Sequence, residues 1–113
     1  VAVLKYEDLL ADVEREKIEK GLEFHAKDGE VVILRPVLLL SKDELKVVQV
    51  QLKVIGDDKV DTFGRIDAMD AIMIAAADKK KSLKDSLGDL PPQLRARVFE
   101  TWMQAADTGE ASA

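Results

Sequence analysis

The stretch Ser41-Lys42-Asp43-Glu44-Leu45-Lys46-Val47-Val48-Gln49-Val50-Gln51-Leu52-Lys53-Val54-Ile55 carries two conflicting signals. From Val48 to Val54, apolar and polar residues alternate and β-branched side chains dominate, which taken alone reads as a strand. Immediately upstream, Ser41 and Glu44 have the spacing of a capping box, in which the serine accepts from the Glu44 amide and the carboxylate reaches back to the Ser41 amide. Leu45, Val48, Leu52 and Ile55 also share one helical face, so a helix beginning at Lys42 is the favoured reading. On that helix Val47, Val50 and Val54 form a second apolar stripe, about 150° from the first at 100° per residue. Such a helix wants cover on two sides. Either neighbouring elements of the same chain supply it, or a partner helix docks there.

Upstream, residues 6–20 place Tyr6, Leu9, Leu10, Val13 and Ile18 close to helical spacing, which predicts an amphipathic helix. Lys17 and Lys20 suit its last turn, and Gly21 stands at the C-cap position. Residues 22–26 and 30–35 flank Lys27-Asp28-Gly29, whose Asp-Gly pair takes the positive φ of a tight hairpin. The second arm, Val31-Val32-Ile33-Leu34, is apolar on both faces, so it is expected to be covered twice or to meet a partner on one face. Pro36 ends its use as an inner strand.

Downstream, Gly56-Asp57-Asp58-Lys59 is a turn or loop. Helix is expected again over 63–77, with Ile66, Met69, Ile72, Met73 and Ala76 on one face. Lys79-Lys80-Lys81 forms a short basic patch, followed by a short amphipathic turn through Leu83 and Leu87 that Gly88 closes. Pro91-Pro92 suits a helix first turn. The last helix is expected to end near Ala106, with Leu94, Val98, Trp102 and Ala105 in one row and Phe99, Met103 and Ala106 in the next. Residues 107–113 are small and polar and read as a flexible tail. The expected architecture is a single α+β domain over 1–106, mainly α: an N-terminal helix, one β-hairpin, then three to four packed helices.

The 113 residues contain no cysteine, which excludes a disulfide scaffold and a thiolate metal site. Seventeen basic against twenty-two acidic residues give a net charge of −5, the wrong sign for a domain held to nucleic acid by phosphate neutralisation. Arg35 and Pro36 interrupt the most apolar run, leaving nothing near the roughly 20 residues of a membrane span. Residues 1–20 carry six acidic residues and lack the profile of a signal peptide, so a cytoplasmic protein is expected.

No catalytic or cofactor constellation emerges, and the chain reads as a non-enzyme with no metal and no cofactor. His25 is the only histidine and is expected to point to solvent, opposite Phe24. Asp57, Asp58 and Asp61 fail the calcium-loop pattern, because Lys59 stands at the third position. Asp67 and Asp70 share a helical face without further ligands and read as its wet side. The six glycines are scattered singly, so no phosphate loop is present. No serine lies in a G-x-S-x-G context, and Lys79 to Lys81 read as a solvated helix end. Three of the five aromatics, Phe63, Phe99 and Trp102, fall on apparent helix faces in the C-terminal half. Trp102 with Phe99 and Met103 is either an interface anchor or part of the core. The candidate partner-binding residues are therefore Val47, Val50, Val54, Phe99, Trp102 and Met103.

The order of these features resembles the tail assembly chaperones of long-tailed, siphovirus-type bacteriophages, especially those infecting actinobacteria. The likeness covers most of the chain. Its carriers are the hairpin passing into Arg35-Pro36-Val37-Leu38-Leu39-Leu40-Ser41, the capped helix, and the ending Phe99-Glu100-Thr101-Trp102-Met103-Gln104-Ala105-Ala106 with Gly109-Glu110-Ala111. The resemblance implies a non-catalytic protein that binds the tape measure protein, keeps it soluble and promotes polymerisation of the major tail protein around it. It also implies a host-cytoplasmic protein absent from the mature virion, with self-association or association with a longer, frameshifted form. Gly109-Glu110 stands where such a frameshift could be encoded, and the slippery run itself is a property of codons. A different expectation for a small acidic α+β chain is a structural subunit of a phage tail or head-tail junction.

Overall fold

The computed structural model describes the backbone of residues 1–112 and the side chains of residues 1–105. Helix α1 (Tyr6–Lys20) leads into an antiparallel hairpin of β1 (Leu22–His25) and β2 (Val31–Leu34). A 3-10 turn (Val37–Leu39) follows, then α2 (Lys42–Ile55), α3 (Thr62–Ala76), α4 (Lys80–Gly88) and α5 (Pro92–Ser112). This is the expected mainly α arrangement, with one hairpin after an N-terminal helix. The final helix continues to Ser112 rather than ending near Ala106. The expected flexible tail 107–113, which includes Gly109-Glu110, lies outside the described side chains.

Local chemistry accounts for most of the boundaries. The hairpin turn closes with the Gly29 amide donating to the Ala26 carbonyl and the Ala26 amide donating to Glu30. Gly29 has φ 86°, the left-handed conformation that follows a type I turn in hairpins of this length. The Asp28 carboxylate accepts from the Glu30 amide at 3.0 Å, and that bond, with one from the Ser82 hydroxyl, holds its pKa below the ordinary value. Pairing runs Leu22 to Leu34 and Phe24 to Val32, which puts Val32 and Leu34 in the core.

Gly21 ends α1 in extended backbone rather than in a left-handed cap. Its requirement is space: a Cβ there would stand 2.4 Å from the Lys17 carbonyl oxygen and 2.8 Å from that of Leu34. The outer edge of β2 is covered from within the chain. Leu34 bridges Ala77, the Arg35 amide donates to Ala76, the Asp78 amide donates to Ile33, and the Ile33 amide donates to the Asp78 carboxylate. The segment after α3 thus acts as a short third strand.

The core gathers Val32 and Leu34 from β2, Val48 from α2, Ile72, Met73 and Ala76 from α3, Leu83 and Leu87 from α4, and Trp102 from α5. Two expectations need correction and one an addition. Asp67 and Asp70 are not simply the wet side of α3, because the part-buried Asp70 carboxylate pairs with Arg95 and ties α3 to α5. The basic patch is exposed, as a solvated helix end is expected to be, but it also makes contacts. Lys80 donates to the Ala75 and Ala77 carbonyls at 2.9 and 3.0 Å and so caps α3, while Lys79 reaches Glu30 at 2.7 Å. Leu52 is 51% exposed, so it leaves the buried face expected of Leu45, Val48, Leu52 and Ile55. Burial on α2 centres on Val48 of the first stripe, because α2 packs chiefly on α3.

Candidate functional site

Helix α2 starts where its capping box dictates: the Glu44 amide donates to the Ser41 hydroxyl at 3.2 Å, and the Ser41 amide donates to the Glu44 carboxylate at 3.0 Å. Glu44 is also the anchor of a polar cluster. The Arg35 guanidinium donates to it at 2.6 Å and the Lys80 ammonium at 3.0 Å, and the same guanidinium donates to the Ala76 carbonyl at 2.9 Å. Burial pushes the Glu44 carboxyl up, but the bonds from Arg35, Ser41 and Lys80 outweigh it and bring its pKa down to about 2. One charged cluster therefore fixes the start of α2 against the end of α3 and the exit of the hairpin.

With α2 so placed, its second stripe faces outward. Val47 is 41% and Val50 58% exposed, and Val54 is half-buried. Val47 forms part of the floor of an open groove of about 460 Å³, together with Ala71, Ile74 and Ala75 of α3. Asp43 and Glu44 edge it on α2, and Lys80 and Lys84 edge it on α4. Small alanines on α3 keep the floor low, and Val50 and Val54 extend the apolar flank along α2. A floor of apolar side chains between edges of opposite charge suits the apolar face of an amphipathic helix.

The other three candidates lie elsewhere. Trp102 is fully buried, its indole N–H donates to the Arg35 carbonyl at 3.2 Å, and it meets Phe99 edge to face at a centroid distance of 5.9 Å. Phe99 and Met103 are half-buried against the same core. Trp102 is thus a core residue rather than a surface anchor, and the six candidates do not form one site. A smaller hollow of about 250 Å³ lies between β1 and α5, floored by Leu22, Phe24, Leu94 and Val98.

The residues reviewed for chemistry hold structural positions. His25 is exposed and its Nε2 lies 2.9 Å from the Glu23 carboxylate. Asp57 accepts from the Lys59 amide at 2.9 Å, and Asp61 caps α3 by accepting from Gly64 at 2.7 Å. Burial raises the Asp70 pKa despite the opposing charge of Arg95. Among the described residues, no three His, Asp or Glu side chains gather to hold a metal ion, and no helix is long and apolar enough to cross a membrane.

The contribution of α3 and α4 to the groove was not anticipated from the sequence. A signal was present, since α3 is apolar on nearly every side (Ala71, Ile74 and Ala75 in addition to the buried row), more than one core face requires. No protein-family model, curated protein or solved structure matches the chain.

Proposed function

We propose that this chain is a non-catalytic assembly chaperone of a long-tailed bacteriophage. It binds the tape measure protein through a helix-in-groove contact on α2, keeps that long helical protein soluble, and promotes polymerisation of the major tail protein around it. The observation that supports this reading best is the apolar flank of exposed Val47 and Val50 with half-buried Val54, running out of an alanine-floored groove with charged edges. A solvent-exposed apolar flank costs a free monomer solubility and has a use when a partner helix covers it. The net charge of −5 works in the same direction, because it keeps a holder protein dispersed while its apolar flank is open. On this reading the protein works in the host cytoplasm and is absent from the finished virion.

Two measurements test the proposal together. Co-expression with the tape measure protein of the same phage should move that protein from the insoluble to the soluble fraction and yield a stable complex. Mass spectrometry of purified virions should then find the tape measure protein without this chain. Retention of the chain in virions at subunit stoichiometry would instead make it a structural component of the tail or head-tail junction.

A further inference from the structure

The hairpin has one covered edge and one open edge. The Ala26 amide donates to the Glu30 carbonyl at 2.9 Å, and pairing continues from there through Phe24 with Val32 and Leu22 with Leu34. In an antiparallel ladder of this register the backbone groups of Phe24 and Leu22 turn toward β2, and those of Glu23 and His25 turn outward. Among the described residues the amides and carbonyls of Glu23 and His25 have no hydrogen-bond partner, and both residues are exposed. Beside this edge lies the hollow floored by Leu22, Phe24, Leu94 and Val98, which Glu23 and Arg97 also line. A helix cannot use such a row of donors and acceptors, whereas an added strand pairs with it directly.

The chain also carries an unused strand. Val1-Ala2-Val3-Leu4 precedes α1 outside any helix or strand, Val3 and Leu4 are each 76% exposed, and Lys5 has extended backbone. Its alternation puts Ala2 and Leu4 on one face and Val3 and Lys5 on the other. Charge chooses between the two ways of laying it on β1. With Leu4 over the hollow, Lys5 stands on the face of Glu23, which is otherwise met only by the imidazole of His25. A slip of one residue would turn Lys5 into the hollow beside Arg97, where like charges meet. The strand cannot come from the same chain. Helix α1 holds Lys5 about 22 Å from Gly21, and Glu23 lies within about 7 Å of Gly21.

We infer that residues 1–5 of one copy of this chain add antiparallel to β1 of a second copy, with Val3 opposite His25, Leu4 beside Phe24 over the hollow, and Lys5 opposite Glu23. Exchange of two such strands about a twofold axis buries on the order of 1,000 Å², about the least a specific interface needs. The surface is separate from the α2 groove, and either can fail without the other.

The test uses the full chain. Sedimentation should show a concentration-dependent dimer. Leu4→Asp should weaken it at least about tenfold. Glu23→Pro should do the same, because proline removes an outward amide and leaves the ladder with β2 intact. Val50→Glu should leave the dimer unchanged. The chain has no cysteine, so a cross-link can be placed without background. Lys5→Cys combined with Glu23→Cys, mixed as light and isotopically heavy chains and mildly oxidised, should give a covalent dimer whose peptide map joins position 5 of one chain to position 23 of the other. That map decides the matter if either single variant alters the circular dichroism spectrum. The proposal is overturned by a chain that stays monomeric up to about 1 mM. It is equally overturned by a dimer that Leu4→Asp and Glu23→Pro leave intact, or by an oxidised product without the link between positions 5 and 23.

Discussion

The indole N–H of Trp102 donates to the carbonyl oxygen of Arg35 at 3.2 Å, and this one bond joins the last helix to the exit of the hairpin. The side chain of the same Arg35 reaches Glu44 and Ala76, so α2, α3, β2 and α5 converge on a single residue. Glu44, one of the Arg35 partners, also edges the groove beside α2.

Trp102→Phe keeps an aromatic ring in the core but leaves the Arg35 carbonyl without its donor and opens a small cavity. It should destabilise the chain by about 2–3 kcal/mol in urea unfolding monitored by circular dichroism. Trp102→Ala should cost about 3–5 kcal/mol. A loss below about 0.5 kcal/mol for the phenylalanine variant would show that the convergence at Arg35 contributes little.

Glu44 makes stability depend on acid in a defined window. Its pKa is about 2 in the folded chain against an ordinary value of 4.5, so its contribution is complete above pH 4.5 and is lost as pH falls through about 2. Glu44→Gln should therefore lose about 1–2 kcal/mol at neutral pH, a figure discounted for the partial exposure of the cluster. The gap between wild type and variant should close as pH approaches 2. A gap independent of pH would assign the effect to the shape of the side chain and not to its charge.

Gly21 and Gly29 are needed for different reasons and should respond differently. Gly21→Ala drives a methyl group against two backbone carbonyls, which cannot move aside cheaply, and should cost about 2–3 kcal/mol with displacement of α1. At Gly29 there is open space for a Cβ but φ is 86°, so Gly29→Ala should cost only about 1–2 kcal/mol of backbone strain. Thermal unfolding of both variants, with amide exchange across residues 6–20, separates the two effects.

Signals contained within a few residues were legible. The Ser41-Glu44 capping box overrode the strand-like alternation of 48–54, and Asp28-Gly29 located the hairpin turn. Contacts that depend on distant segments were not. Asp70 reads as a surface residue until Arg95 from α5 is set beside it, and nothing near Lys80 in the sequence says that its ammonium caps the end of α3. The bridge from Ala77 to β2 was not legible, because it pairs with the edge of the strand, whereas apolar faces speak only of face cover; of the two faces only that of Val32 and Leu34 is buried, Val31 being exposed and Ile33 half-buried. Arg35 was the clearest missed cue. A lone charge inside the apolar run from Val31 to Leu40 calls for buried partners, and those partners define the site. Of the candidate surface, the valine stripe was readable from periodicity, while the alanine floor needed α3 to be placed against α2.

The proposed contact between the valine flank of α2 and a helix of the tape measure protein is tested most directly by one substitution. Val50 is 58% exposed, so Val50→Glu should change unfolding stability by no more than about 0.5 kcal/mol. Co-expressed with the tape measure protein, the wild-type chain should keep it soluble, and the Val50→Glu chain, equally folded, should leave it in the insoluble fraction. Equal rescue by the variant would overturn the proposed contact.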